Sequence, residues 1–248
     1  MTQPHLSDAP VAPRFRQIVD ALRQNIVDGT LPEHTALPSE RMIAEQHGVS
    51  RMTARRALEA LEMEGLAYSE QRRGRFVSPP RLTYDISRKI SFAADALADG
   101  TDLEIEVIAS WTCPADARLA RLLDISPDEG LFGYTRLFRM GGHAIFVETE
   151  HVIASRCPDL LGHDLRQSTT RLLEQYYATS AQIGNITIRM RGMNAKESEL
   201  LGLPQNHAGI ELEQVIRDTE DVPFCIGLQM WRGELAEFSA RAFVNQEV

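Results

Sequence analysis

Cysteine is scarce in this chain. The three present, Cys113, Cys157 and Cys225, are odd in number, far apart and never arranged as CxxC. That pattern argues against a disulfide framework and a zinc ribbon, and it suits a reducing cytoplasm. The seven histidines are scattered with no HxxxH step, so no helix face presents two of them as metal ligands. Neither a metal nor a cofactor is expected. No apolar run approaches the length of a bilayer span, so no transmembrane helix and no membrane partner are expected. The opening MTQPHLSDAPVAPR lacks the apolar core of a secretory signal, and residues 1–13 read as a flexible arm. The signatures GxSxG, GxGxxG and HExxH and the P-loop are missing as well, which withdraws sequence support for catalysis. There is no internal repeat and no low-complexity segment.

Lysine is absent from the first 80 residues, where ten arginines face ten acidic side chains. Residues 81–248 hold 16 basic against 25 acidic side chains and carry the whole net charge of −9. At 248 residues the chain suits two domains of ordinary size. An acidic domain is repelled by a phosphate backbone while a neutral one with a local arginine cluster can touch it. The charge total therefore hides a division of labour.

The cluster is VSRMTARRALEALEMEGL, Val49 to Leu66, with three arginines inside six residues. A step of about 100° per residue gathers Ala54, Ala57, Leu58 and Leu61 on one arc and leaves Arg51, Arg55 and Arg56 outside it. Upstream, Phe15, Ile18, Val19, Leu22 and Ile26 recur at helical spacing, and Gly29 follows as a stop. Ser39 reads as the N-cap of a short helix over about 40–47, ended by Gly48; Ser50 caps the next, which runs to about Glu64. LAYSEQ and RFVS then read as two short strands around a basic turn. Helix, helix, turn, helix and a two-stranded wing make a winged helix-turn-helix over residues 14–78.

The paired prolines in SPPRL mark a linker over 79–84. Beyond it, an amphipathic segment near Phe92–Leu97 precedes the strand LEIEVIASW and the helix ADARLARLLDI. A hairpin, GLFGYTRLFRM–GGH–AIFVETEHVI, turns at Gly141-Gly142. A helix over about 169–177 and strands over about 184–191, 210–218 and 224–232 complete the region. The irregular alternation predicts an α+β domain with an antiparallel sheet over 85–248.

The stretch ALPSERMIAEQHGVSRMTARRALEALEMEGLAYSEQRRGRFV closely resembles the DNA-binding domain of the GntR superfamily of bacterial transcription regulators. LLDISPDEGLFGYTRLFRMGGHAIFVETEHV, STTRLLEQYY, ESELLGLPQN and PFCIGLQMWRGELAEF are similar, more loosely, to the UTRA effector-binding domain of its HutC-type branch. That resemblance implies a chorismate-lyase-like fold that holds a small molecule. The chain departs from the family pattern at Arg72, where the wing tip usually has glycine, at Phe138 in the Arg-x-Arg strand, and at Cys225, where a carboxylate is common.

Arg51 and Arg55 sit one turn apart at the start of a helix that such proteins place in the major groove, where guanidinium forks match guanine edges. A solvated helix face is the plain alternative. By the resemblance, Arg41, Ser50, Thr53, Gln71 and Arg72 also touch DNA, mostly its backbone, and Gly74 shapes the wing turn. Arg136 matches the effector-strand arginine, and Ser168 matches a serine opening a helix whose free N–H groups favour an anion. Arg189, Glu148 and Glu150 complete the candidate effector set, with surface ion pairing the alternative for Arg189. His143 and His151 read as ordinary polar residues. The resemblance implies a homodimeric, ligand-responsive regulator, released as a repressor from an inverted-repeat DNA operator by a small polar or anionic metabolite. The alternative is an enzyme on the lyase-like domain with a DNA-binding appendage.

Overall fold

The computed structural model describes residues 14–70, 73–79, 81–87, 91–92, 100 and 102–241. It divides into two compact units, Met1–Arg81 and Leu82–Val248.

In the first unit, α1 (Arg14–Val27) buries Ile18, Val19 and Leu22. Helix α2 (Glu40–His47) starts where the Ser39 hydroxyl accepts the Met42 N–H at 3.3 Å, and it ends at Gly48 with φ +60°. Helix α3 (Arg51–Met63) buries Ala54, Ala57, Leu58 and Leu61, the arc expected from spacing alone. These side chains meet Ile18, Leu22 and Ile43 in one core, and full burial of each leucine or isoleucine contributes about 1.5–3 kcal/mol. Strands β1 (Ala67–Glu70) and β2 (Gly74–Val77) pair antiparallel, with Ala36 bridging to Phe76.

The second unit is built on a six-stranded antiparallel sheet in the order β4-β5-β6-β9-β8-β7. Its strands are β4 (Leu103–Pro114), β5 (Gly130–Met140), β6 (His143–Ile153), β7 (Ile183–Gly192), β8 (Ala208–Arg217) and β9 (Pro223–Arg232). Gly141 and Gly142 join β5 to β6 with φ of +55° and +78°. Two successive positive φ values match the twist of the flanking strands, and glycine adopts them without a Cβ penalty.

Strand alternation sorts the side chains into two faces. On one face Leu137, Val147 and Met230 pack with Leu201 of α6 (Ala195–Leu201), and Leu131, Ile153 and Ile226 pack with Leu119 and Leu123 of α4 (Ala117–Leu123). On the other, Tyr134, Val152, Ile216 and Cys225 pack with Leu172 and Leu173 of α5 (Thr169–Tyr177).

The sequence reading did not anticipate a separate parallel pair, β3 (Leu82–Asp85) with β10 (Ala236–Ser239), nor helix α6. Residues 82–84 of the expected linker therefore lie in a strand. Four-residue strands show no usable periodicity, and their partners sit at opposite ends of the unit. The expected arm, residues 1–13, and the segment after Phe92 lie outside the described residues.

Candidate functional site

Ser50 gives α3 its start: its hydroxyl accepts the Thr53 N–H at 3.1 Å and bonds the Thr53 hydroxyl at 2.9 Å. This cap places Arg51 in the first helical turn, with Arg55 one turn on. The Arg55 side chain is 54% exposed and reaches Glu59 at 2.8 Å. Arg41 is also exposed and pairs with Glu45 at 3.1 Å. Among the described residues no carboxylate pairs with Arg51. An open groove of about 430 Å³ runs from Ser39, Glu40 and Arg41 past Arg51 to the wing residues Arg73, Gly74 and Arg75. Gly74, at φ +110°, lets the wing strand leave its turn. Arg75 ties the wing down through Glu40 at 3.1 Å and Glu62 at 3.2 Å. Arg41 thus lies on α2, Ser50 caps α3, Arg51, Thr53 and Arg55 lie on α3, and Gly74 is in the wing; Gln71 and Arg72 lie outside the described residues. Arg73 and Arg75 were missed because nothing in the sequence separates groove arginines from solvated ones.

The second unit holds an enclosed polar cavity of about 20 Å³, room for one water. Cross-strand register aligns Arg136 on β5 with Glu148 on β6 and Gln229 on β9. The Arg136 Nε–H donates to Glu148 at 3.0 Å; Nη2 reaches Glu148 at 2.5 Å, Glu150 at 3.1 Å and the Thr169 hydroxyl at 3.1 Å. Nη1 donates to the carbonyls of Leu165 at 3.0 Å and Gln167 at 2.6 Å. Gln229 donates to Glu148 at 2.8 Å and accepts the Trp231 indole N–H at 2.8 Å. The Tyr134 hydroxyl donates to Glu150 at 2.6 Å.

Arg136, Glu148 and Glu150 are all buried, at 2%, 5% and 5% exposure. Burial first, and then the Glu148 carboxylate, push the Glu150 carboxyl up to about 7, against the pull of Arg136. Burial opposes the Arg136 charge, but Glu148 and Glu150 outweigh it and hold the guanidinium ionised. Burial and Glu150 raise the Tyr134 phenol and the Cys225 thiol well above their ordinary values, so both stay neutral near pH 7.

Ser168 opens α5 as expected, but its hydroxyl bonds those of Ser91 at 3.0 Å and Thr170 at 3.1 Å, and it makes no cap bond to the helix. Arg136, Glu148, Glu150 and Ser168 therefore converge on one region. Arg189 does not join them: it pairs in register with Glu211 on the opposite sheet face and reaches Glu211 at 3.4 Å and Glu213 at 3.5 Å. It is a half-exposed ion-pair residue. Tyr134, Thr169 and Gln229 were missed. Tyr134 was accessible through the period-two step to Arg136, whereas Thr169 and Gln229 arrive through tertiary packing.

An aromatic stack walls the cavity. The Phe138 and Phe146 rings lie 4.1 Å apart and those of Phe146 and Trp231 3.9 Å apart, with Phe92 edge-on to both Phe146 and Trp231. Tyr84, on β3, stacks on Trp231 at 6.2 Å.

Residues 98–237 match the UTRA domain, and residues 15–77 match the gntR family of bacterial regulatory proteins. The chain is 25% identical to the HTH-type transcriptional repressor NagR of Bacillus subtilis over 226 residues, 91% of this chain and 93% of that protein. It is 30% identical to the mannosyl-D-glycerate transport/metabolism system repressor MngR of Escherichia coli, over 66% of this chain and 68% of the relative. The crystal structure of PhnF from Mycobacterium smegmatis superposes with a TM-score of 0.64 at 25% identity, covering 92% of this chain and all of that one. Both relatives are named as repressors, and no described helix is long and apolar enough to cross a membrane. With an arginine-bearing winged helix at one end and a UTRA domain at the other, this chain belongs to the gntR family of bacterial regulatory proteins, in its HutC/NagR-type branch.

Proposed function

We propose that the chain is a homodimeric repressor that leaves an inverted-repeat operator when a small polar metabolite fills the cavity at Arg136, Glu148 and Glu150. The observation that carries this reading is the combination, in one chain, of exposed Arg51 and Arg55 opening a recognition helix and an enclosed polar cavity in the UTRA domain. One winged helix reads too few bases for selectivity, and a two-fold dimer doubles the site. Repressor relatives support the sign of the regulation. A ligand moves the protein off DNA only by favouring the arrangement that binds DNA less well. The route is physical: Glu148 bonds Gln229, Gln229 bonds Trp231, and Trp231 stacks on Tyr84 of β3. The chain then runs from Leu82 directly into Arg81, the last residue of the DNA-binding unit.

The test is fluorescence anisotropy of the full chain on DNA flanking its own gene, with and without candidate metabolites. Two protomers per site and weaker retention in the presence of an unconsumed metabolite are expected. One protomer per site, or turnover of the metabolite without any change in retention, would overturn the reading and favour the enzyme alternative.

A further inference from the structure

We infer that the cavity selects a cationic ligand, an ammonium or amidinium group on a small flat or apolar body, and rejects anions. This deepens the effector reading above and rests on it. The first ground is a count of hydrogen bonds. A guanidinium has five N–H bonds, and those of Arg136 make six contacts with five acceptor atoms: one Glu148 oxygen twice, Glu150, the Thr169 hydroxyl, and the carbonyls of Leu165 and Gln167. No Arg136 donor remains for a phosphate or carboxylate.

The second ground is charge. Two buried carboxylates, Glu148 and Glu150, face one buried guanidinium. The ionised set therefore carries one negative charge in excess, in a place where an uncompensated charge is costly. The N-terminus of α5 lies beside it and supplies roughly half a positive charge, which offsets only about half of that excess. An incoming anion meets two carboxylates; an incoming cation completes the neutralisation. The third ground is the wall. Phe92, Phe138 and Phe146 line the cavity and suit a flat or apolar ligand body; the preference for a cation comes from the two carboxylates, since Phe138 and Trp231 cover the two faces of Phe146 and the Arg136 guanidinium lies over Phe138. Because the space admits only one water, a larger ligand enters by displacing the Phe92 ring from Phe146 and Trp231.

Until a cation arrives, a proton takes its place. Glu150 titrates near 7, and the groups facing it are Arg136 and Tyr134 on β5, Glu148 on β6, Cys225 on β9 and Thr169 on α5. Arg136 stays charged, and Tyr134 and Cys225 stay neutral across this range. Cation binding therefore expels a proton from Glu150 to solvent, and affinity rises with pH from 6 to 8.

The experiment is calorimetric titration of the full chain with three probes of one shape, benzamidinium, benzamide and benzoate, and with inorganic phosphate. Benzamidinium is expected to bind at least tenfold more tightly than benzamide, with no saturable binding of benzoate or phosphate. Glu148→Gln should weaken benzamidinium at least tenfold. In the unmutated protein, buffers of different ionisation enthalpy should reveal proton release on binding, a readout independent of how the variant folds. Tighter binding of benzoate or phosphate overturns the cationic class and leaves the effector cavity standing. No binding of benzamidinium, or binding without proton release, also overturns it. If benzamidinium binds as stated while operator affinity stays unchanged with every cation tried, the cation site stands and the effector reading falls.

Discussion

At the scale of single residues, the two arginines that open α3 differ in their freedom. Arg55 already holds Glu59, whereas among the described residues no carboxylate pairs with Arg51. Arg51→Ala and Arg55→Ala should each remove about 1–3 kcal/mol of discrimination at one base position. A series of operator variants at fixed salt measures this, and uniform weakening across the series would mean that the arginines grip phosphate only. Glu150 supports a second residue-scale prediction. Its folded-state pKa is raised, so the stabilisation from burying its neutral form is complete below about 4.5, the ordinary value, and is lost as pH rises through about 7. Glu150→Gln should therefore gain stability relative to the unmutated protein as pH increases, by up to about 3 kcal/mol at pH 8. Thermal unfolding of both proteins between pH 5 and 8 compares them, and parallel curves would contradict the assignment.

At the scale of elements, β4 and β5 pair so closely that the Trp111 indole lies over Gly133. A Cβ added at Gly133 would lie 2.4–2.7 Å from the indole ring atoms. Gly133→Ala should cost about 1–3 kcal/mol through overpacking, and the double variant Gly133→Ala, Trp111→Leu should recover most of it in urea unfolding. Failure of that rescue would locate the strain in the backbone. Much at this scale was legible from sequence. The caps Ser39 and Ser50, the buried arc of α3, the β5–β6 hairpin with its Gly141-Gly142 turn, and α5 over 169–177 all follow from local rules: spacing, capping and positive φ. The β3–β10 pair was not legible, because a parallel pairing between the two ends of a domain leaves no mark in either four-residue segment.

At the scale of the whole molecule, the question is how a filled cavity is felt at the DNA. Typical coupling between sites is about 1–3 kcal/mol, or roughly 5–150-fold in affinity. If Trp231 and Tyr84 carry it, Tyr84→Leu should leave ligand affinity and ligand-free operator affinity within about threefold of the unmutated protein while removing most of the ligand-induced release. Anisotropy titrations of the full chain with and without ligand check this. Full release in the variant would assign the coupling to another route.

The sequence alone determined most of the helices, strands and turns, with β3, β10 and α6 the exceptions, and it determined where the charge lies and which arginines open α3. Each of those is settled within a few residues, by helical or strand period, by a capping hydroxyl or by a glycine turn. Only the tertiary structure decided what surrounds Arg136 and where Arg189 points. Alternation assigns residues of one strand to two faces, but it does not say which face meets which helix or which strands become neighbours. The order β5-β6-β9-β8 aligns Arg136, Glu148 and Gln229 on one face and sends Arg189 with Glu211 to the other. Packing of α5 then brings Thr169 and the carbonyls of Leu165 and Gln167 to the same guanidinium. An arginine that reads in sequence as an anion clamp thereby becomes a saturated donor between two carboxylates, because its partners come from segments that no local rule connects.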